Sequence, residues 1–228
     1  RMAQLPEENL LESPTTLAGA LRDAQRLFGY DALVSHFDVG LAARACVQLT
    51  ADRADQFVNE KPWPVILEAT RRLVKELNQT VIMGVLTGPL TLSRQLGDRS
   101  LDRAAQTAMA LGRAYAECGV GSLLVVEERA ITPEEEDLFA RTLRSLWNLT
   151  EYFQITPLVL ARGAALTSAG RLAPAGLRFL VLPESLFTDP PDAAVALVQR
   201  TVAEAGPGPL IVSTAWEVPP ETSPETLR

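Results

Sequence analysis

Three observations predict an α/β fold with parallel strands. Six short runs rich in Val, Ile and Leu are spread along the chain, helical periodicity fills the intervals between them, and the helix boundaries carry matching start and stop residues. The runs are almost continuously apolar, which suits strands covered on both faces; a strand with one wet face would alternate.

Taken in order, a first helix is expected over 15–28 and closed by Gly29, where a left-handed residue costs little. A strand follows at 31–37 (DALVSHF), then a short helix over 39–46. The next pair is a helix over 63–77 and a strand at 80–86 (TVIMGVL), followed by a helix over 101–118 stopped by Gly119 and a strand at 122–126 (SLLVV). The helix expected over 133–152 opens on Thr132-Pro133-Glu134-Glu135: a hydroxyl cap, a proline in the first turn and carboxylates at the positive end of the dipole. Strands at 156–161 (TPLVLA) and 178–182 (RFLVL), a helix over 192–205 and a strand at 209–213 (PLIVS) complete the alternation. The Pro- and Gly-rich pieces 163–174 and 206–209 are loop-sized, so residues 1–228 are expected to form one domain. The last residues, VPPETSPETLR, hold a helix start at Ser223-Pro224-Glu225 with almost no helix after it, so the chain is expected to stop inside an element.

Composition narrows the function classes. With 228 residues, 47% hydrophobic and 21% charged, the chain can bury a sizeable core. Its formal charge of −7 repels a phosphate backbone or an anionic bilayer, so neither nucleic acid nor membrane is an expected partner. The sequence shows no apolar run approaching the ~18–20 residues that span a bilayer and no apolar leader at its start, and the expected location is the cytoplasm. Cys46 and Cys118 lack CxxC spacing, and with His36 the single histidine they read as reduced core thiols; no metal and no cofactor is expected. The stripe Trp63, Val65, Ile66, Leu67 and the aromatics Trp147, Tyr152 and Phe153 read as packing residues.

Ligands of parallel α/β folds bind beyond the carboxyl ends of the strands. The residues in that position are His36 and Asp38 after the first strand; Thr87, Gly88, Pro89 and Thr91 after the second; Glu127, Glu128 and Arg129 after the third; Arg162, Glu184, Trp216 and Glu217 after the later ones. His36 and Asp38 point to one side while the strand stays extended, so the carboxylate can orient the imidazole; equally, Asp38 can cap the following helix. Of the adjacent pair Glu127 and Glu128, one can face a cleft as an acid/base group with a raised pKa, while a solvated acidic loop is the alternative. Arg162 offers a clamp for a substrate carboxylate. Gly88 and Thr91 in TGPLTL offer close backbone approach and a hydroxyl, but this is neither a phosphate-binding P-loop nor a dinucleotide fingerprint, and no GxSxG elbow is present.

Three stretches resemble the uroporphyrinogen decarboxylase superfamily, which includes that decarboxylase, the corrinoid-dependent methyltransferases acting on coenzyme M and, more distantly, cobalamin-independent methionine synthase. FGYDALVSHFDVGLAARA is similar to its first strand "G-x-D-A" with an acidic residue past the end, TVIMGVLTGPLTLSRQLG to its "G-x-x-G-P-x-T-L" segment, and AYAECGVGSLLVVEE to its "Y-x-x-x-G-A-D" strand closing on an acid. PLIVSTAWEVPPETSPETL is a weaker match to its closing loop. The resemblance implies a TIM-barrel-like (β/α) repeat, here a reduced or incomplete barrel of about six visible parallel strands. It also implies a tetrapyrrole or corrinoid as the small-molecule ligand, lyase chemistry in porphyrin biosynthesis or methyl transfer, and a homodimer.

Carried over by position, the resemblance makes Asp38 the aspartate that gathers pyrrole NH groups. The chain departs from the pattern elsewhere: Gln95 stands where a tyrosine is expected, Glu128 where a serine is, Trp216 where a histidine is, and nothing before Leu10 matches the arginine-rich substrate loop. The zinc ligands of the methyltransferases, a His-x-Cys pair and a later Cys, have no counterpart. Two expectations follow. An enzyme would bring Asp38, Glu127, Arg162 and Trp216 to one pocket, with His36, Gly88, Thr91 and Glu217 binding substrate beside catalytic Asp38, Glu127 and Glu128. A non-catalytic binding or accessory relative would keep the scaffold and fill or lose that pocket.

Overall fold

The computed structural model of the chain describes residues 7–47, 49, 51–97, 101–162, 178–182, 190–205 and 210–214. Helix α1 (Glu7–Leu10) leads into α2 (Pro14–Phe28), which has proline in its first turn and Gly29 at φ 69° after its last. Strand β1 (Ala32–Val34) follows, then α3 (Leu41–Val47), a 3-10 segment (Ala51–Asn59), α4 (Trp63–Glu76), β2 (Val81–Thr87), α5 (Pro89–Leu96) and α6 (Asp102–Cys118). Next come β3 (Ser122–Glu127), α7 (Pro133–Thr142), α8 (Arg144–Tyr152) and β4 (Thr156–Ala161). The last described elements are β5 (Arg178–Leu182), α9 (Pro191–Ala205) and β6 (Leu210–Thr214).

Strands β1 to β4 make one sheet in sequence order, every pairing parallel, with Ala32 opposite Val81, Met83 opposite Ser122 and Glu127 opposite Ala161. β5 and β6 pair in parallel as a second, two-stranded sheet. Parallel neighbours need a crossover, and helices supply it between successive strands of the first sheet. Between Asp38 and Val81 the described residues form α3, the 3-10 segment and α4, so the long interval after β1 holds helix rather than strand.

The continuous apolar runs split by parity between two cores. Ile82, Leu86, Leu123, Val125, Val159 and Ala161 pack with Leu17, Ile66, Leu73, Leu111 and Tyr115 from α2, α4 and α6. Met83, Val85, Leu124, Val126, Leu158 and Leu160 form a second buried cluster on the other face, edged by Val34, Phe37 and Val39. Gly84 lies on the helical side because the Tyr115 ring covers it; a β-carbon there would sit 2.5 Å from Tyr115 Cγ.

Three expectations need correction. The single helix over 133–152 is two, meeting at Leu143, which is buried in the core. Thr142 Oγ1 bonds back to the Leu138 carbonyl at 2.7 Å, a contact that bends helices, one residue before the junction, and Phe139, Leu143 and Leu146, at the spacing of a single helix face, stay buried across it. Tyr152 and Phe153 are not packing residues: they are 82% and 39% exposed and stack edge-to-face on each other at 5.1 Å. Finally, β1 stops at Val34, so residues 36–38 are loop rather than extended strand. Among the described residues no helix is long and apolar enough to cross a membrane.

Candidate functional site

The carboxyl end of the four-stranded sheet is assembled around the start of α5. Gly88 belongs to two elements at once: its N–H donates to the Val126 carbonyl at 2.7 Å, continuing the sheet, and its carbonyl accepts from Leu92 N at 2.9 Å, opening the helix. A helix N-terminus leaves several N–H groups without intrahelical partners, usually met by a Ser, Thr, Asp or Asn cap. Gly88 has no side chain to do this. Glu127, the last residue of β3, does it instead: its carboxylate accepts from Leu90 N at 2.9 Å, Thr91 N at 2.7 Å and Thr91 Oγ1 at 2.5 Å. The cap position must be glycine, since a β-carbon on residue 88 would fall inside the Glu127 carboxyl group.

Glu127 is 1% exposed. Burial pushes its carboxyl above the usual range, opposed by the Thr91 hydroxyl, the Leu90 and Thr91 N–H groups and the Arg94 guanidinium. Thr91 Oγ1 also accepts from Glu128 N at 2.9 Å and from Arg94 Nη2 at 3.1 Å. The Glu127 carbonyl accepts from Arg162 N at 2.9 Å, so the β3 pairing runs one residue past β4.

The sequence-predicted residues therefore separate. Glu127 is neither a solvated loop residue nor open to a cleft; by parity it lies on the helical side of the sheet and locks α5 to β3. Glu128 is exposed just beyond the strand, and Arg162 is exposed after β4. Asp38 has turned to α3, where its Oδ1 accepts from Gly40 N at 2.8 Å and its Oδ2 pairs with Arg44. That is the capping alternative, and it follows from the early end of β1. His36 is half-buried in the same loop, and the β2 end is tied to it by Thr87 Oγ1 donating to the Val39 carbonyl at 2.8 Å. Gly88 and Thr91 are buried structural partners of Glu127. Glu184, Trp216 and Glu217 lie outside the described residues.

Sequence reasoning missed Arg94 and Arg44. The start of α5 carried a usable signal, since Gly88-Pro89 followed by LTLSRQL is a proline-first helix, and it puts Arg94 one turn after Thr91. The thiols do not fit a zinc centre: Cys46 Sγ contacts Thr107 Oγ1 at 3.5 Å, Cys118 Sγ faces the Leu67 carbonyl at 3.3 Å, and burial raises both. Among the described residues no group of three His, Cys, Asp or Glu could hold a metal. A groove of about 600 Å³ opens between the 3-10 segment and α6, floored by Met109, Ala110 and Ala114 and edged by Asp55, Arg113 and Glu117. None of the strand-end residues lines it.

No family model matches the sequence, and no curated protein matches it. Among solved structures the chain is similar to a methyltransferase from Methanosarcina mazei, with a TM-score of 0.74 and 15% identity over 97% of this chain and 85% of that one. What the two share is the fold. The likeness spans the whole succession of parallel strands and crossover helices.

Proposed function

We propose that the chain is a binding or accessory protein on the scaffold of the decarboxylase and methyltransferase superfamily, a reduced (β/α) barrel whose carboxyl end takes a tetrapyrrole or corrinoid without turning it over. The observation that carries this reading is the use made of Glu127. A general acid or base must reach its substrate. This carboxylate is buried with both oxygens bonded to α5, and Asp38, its expected companion, is bonded to the start of α3. The barrel itself is supported by sequential parallel pairing and by likeness to the methyltransferase. Glu128, Arg162 and His36 stand at strand ends where such a ligand would sit, and Val34, Phe37 and Val39 offer apolar surface to the face of a macrocycle.

The test is a thermal-shift and absorbance titration with porphyrins, porphyrinogens and corrinoids, with product analysis in the same samples. A ligand at a hundred times its Kd adds about 2.7 kcal/mol to the native state, which for a chain of this size raises Tm by about 5–10 °C. Saturable stabilisation with the ligand recovered intact is the expected result. Decarboxylation or methyl transfer overturns the reading, and no response to any of the three overturns the ligand class.

A further inference from the structure

Four helices, α2, α4, α6 and α8, end at the amino end of the first sheet, each just before the strand it feeds. A helix C-terminus is the negative end of its dipole and favours a cation in the last turn. α2 and α4 follow that rule with Arg26 and Lys75. α6 and α8 break it: neither has a basic residue in its last turn, and each carries a glutamate there, Glu117 and Glu151. All four side chains are exposed, and among the described residues none of them forms an ion pair. Nearby Glu76 is already bonded to Arg22, and Arg71 to Glu68. The amino end therefore divides along the strand order, basic beside β1 and β2 and acidic beside β3 and β4, with Asp31 the one exposed carboxylate that enters β1.

The same end is apolar. Of the nine large hydrophobic side chains exposed among the described residues, five stand here: Leu27, Tyr30 and Val81 on the basic half, Tyr152 and Phe153 on the acidic half. Tyr30 stacks on Phe28 at 5.4 Å, and Tyr152 on Phe153 at 5.1 Å. The strand entries join the halves into one surface, since Val81 N bonds the Asp31 carbonyl at 2.8 Å, Gly121 N the Ile82 carbonyl at 3.0 Å and Thr156 N the Gly121 carbonyl at 3.1 Å. Exposed tyrosine and phenylalanine between charged rims is the composition of a protein interface.

A partner of one sign would meet its own charge on half of this surface. A second copy of the chain does not. We propose that the amino end is the interface of a homodimer, in which a two-fold axis perpendicular to the sheet, between β2 and β3, lays the basic half of each copy on the acidic half of the other. That axis reverses the order β1-β2-β3-β4, so the entry of β1 meets that of β4 and the entry of β2 meets that of β3. Arg26 then faces Glu151 of the second copy, Lys75 faces Glu117, and Tyr30 faces Tyr152 and Phe153, each contact made twice. The two glutamates that oppose their own helix dipoles gain a cation only in this arrangement. Both carboxyl ends stay open, so the dimer stands whether or not a tetrapyrrole binds.

The experiment is sedimentation velocity of the full chain at low salt and about 100 μM, where any dissociation constant in the micromolar range gives mostly dimer. The expected result is a dimer for the wild type. Arg26→Glu with Lys75→Glu makes the whole face acidic, Glu117→Lys with Glu151→Lys makes it basic, and each double variant alone loses four ion pairs and dissociates about thirty-fold more readily or worse. An equimolar mixture of the two pairs acid with base throughout and sediments as a dimer again. All four positions are exposed, so folding is unaffected, and circular dichroism checks it. Tyr152→Ala, which leaves the charges alone, weakens the wild-type dimer by about tenfold. A wild-type chain that sediments as a monomer overturns the proposal. So does a dimer indifferent to both charge reversals, which would place the interface elsewhere, or a mixture of the two variants that stays monomeric.

Discussion

Two helices of this molecule begin under the control of a glutamate, and they differ in nearly every other respect. At α7 the glutamate is Glu135, three residues past its cap Thr132, whose N–H it accepts at 3.1 Å in a capping box. Arg129 also bonds it at 2.8 Å, and that guanidinium holds its carboxyl at about 2. At α5 the glutamate is Glu127, 36 residues downstream of Thr91, buried, and pushed upward instead. A local cap sits in water and is assisted by a cation. A remote cap is carried into the core by its strand, where burial outweighs the three donors that favour its charge. The same side chain thus contributes to stability with opposite pH dependence at the two sites.

That contrast can be broken in four steps of decreasing size. Gly88→Ala drives a methyl group into the Glu127 carboxyl and displaces that buried group from its donors, so a loss of about 3 kcal/mol is expected in urea unfolding, against about 0.5–1 kcal/mol for glycine to alanine at an open helix cap. Glu127→Ala leaves Leu90 N, Thr91 N and Thr91 Oγ1 buried without their acceptor, which costs about 2–3 kcal/mol; a change below 0.5 kcal/mol (roughly the scatter of surface substitutions) would mean water replaces the carboxylate. Thr132→Ala removes the hydroxyl of the local cap at a cost of about 1 kcal/mol.

The smallest effect is in slope. A raised folded pKa means the native state holds the Glu127 proton more tightly than the unfolded chain, so that contribution is full at low pH and is lost as pH rises from 4.5 through the folded value. The depressed Glu135 works the other way, its contribution present above 4.5 and lost as pH falls toward about 2. Melting curves of Glu127→Gln and Glu135→Gln, each subtracted from wild type across pH 2–7 (roughly the span of both titrations), should slope in opposite directions. Parallel slopes would show that burial does not govern Glu127.

What could be read from the residues divides along the same line. β4 falls on 156–161 as its apolar run predicts, because a strand buried on both faces writes its burial into nearly every residue, and β5 falls on the run at 178–182. The start of α7 is likewise readable, since a capping box is a fixed spacing within one turn. The partnership of Glu127 with Thr91 has no spacing of its own; it exists because β2 and β3 pair with Met83 opposite Ser122, a fact of register rather than composition. Asp38 was legible only as an alternative between site and cap, and the length of β1, three residues instead of seven, decided it. The break at Leu143 escaped because Phe139, Leu143 and Leu146 keep the spacing of a single helix face across it, so the hydrophobic pattern of 133–152 carries no mark of the junction.

The distance between α5 and its cap also has a meaning in time. At a synthesis rate of about 5–20 residues per second Leu90 and Thr91 are joined to the chain about 2–7 s before Glu127, so nascent α5 spends that interval without the acceptor of its first amides. Glu135, by contrast, arrives within a second of Thr132 on the same clock (about 0.2–0.6 s). The order of synthesis therefore makes β3 the element whose arrival completes α5, two elements earlier, and a pause in translation between residues 96 and 127 would prolong the life of a half-finished sheet.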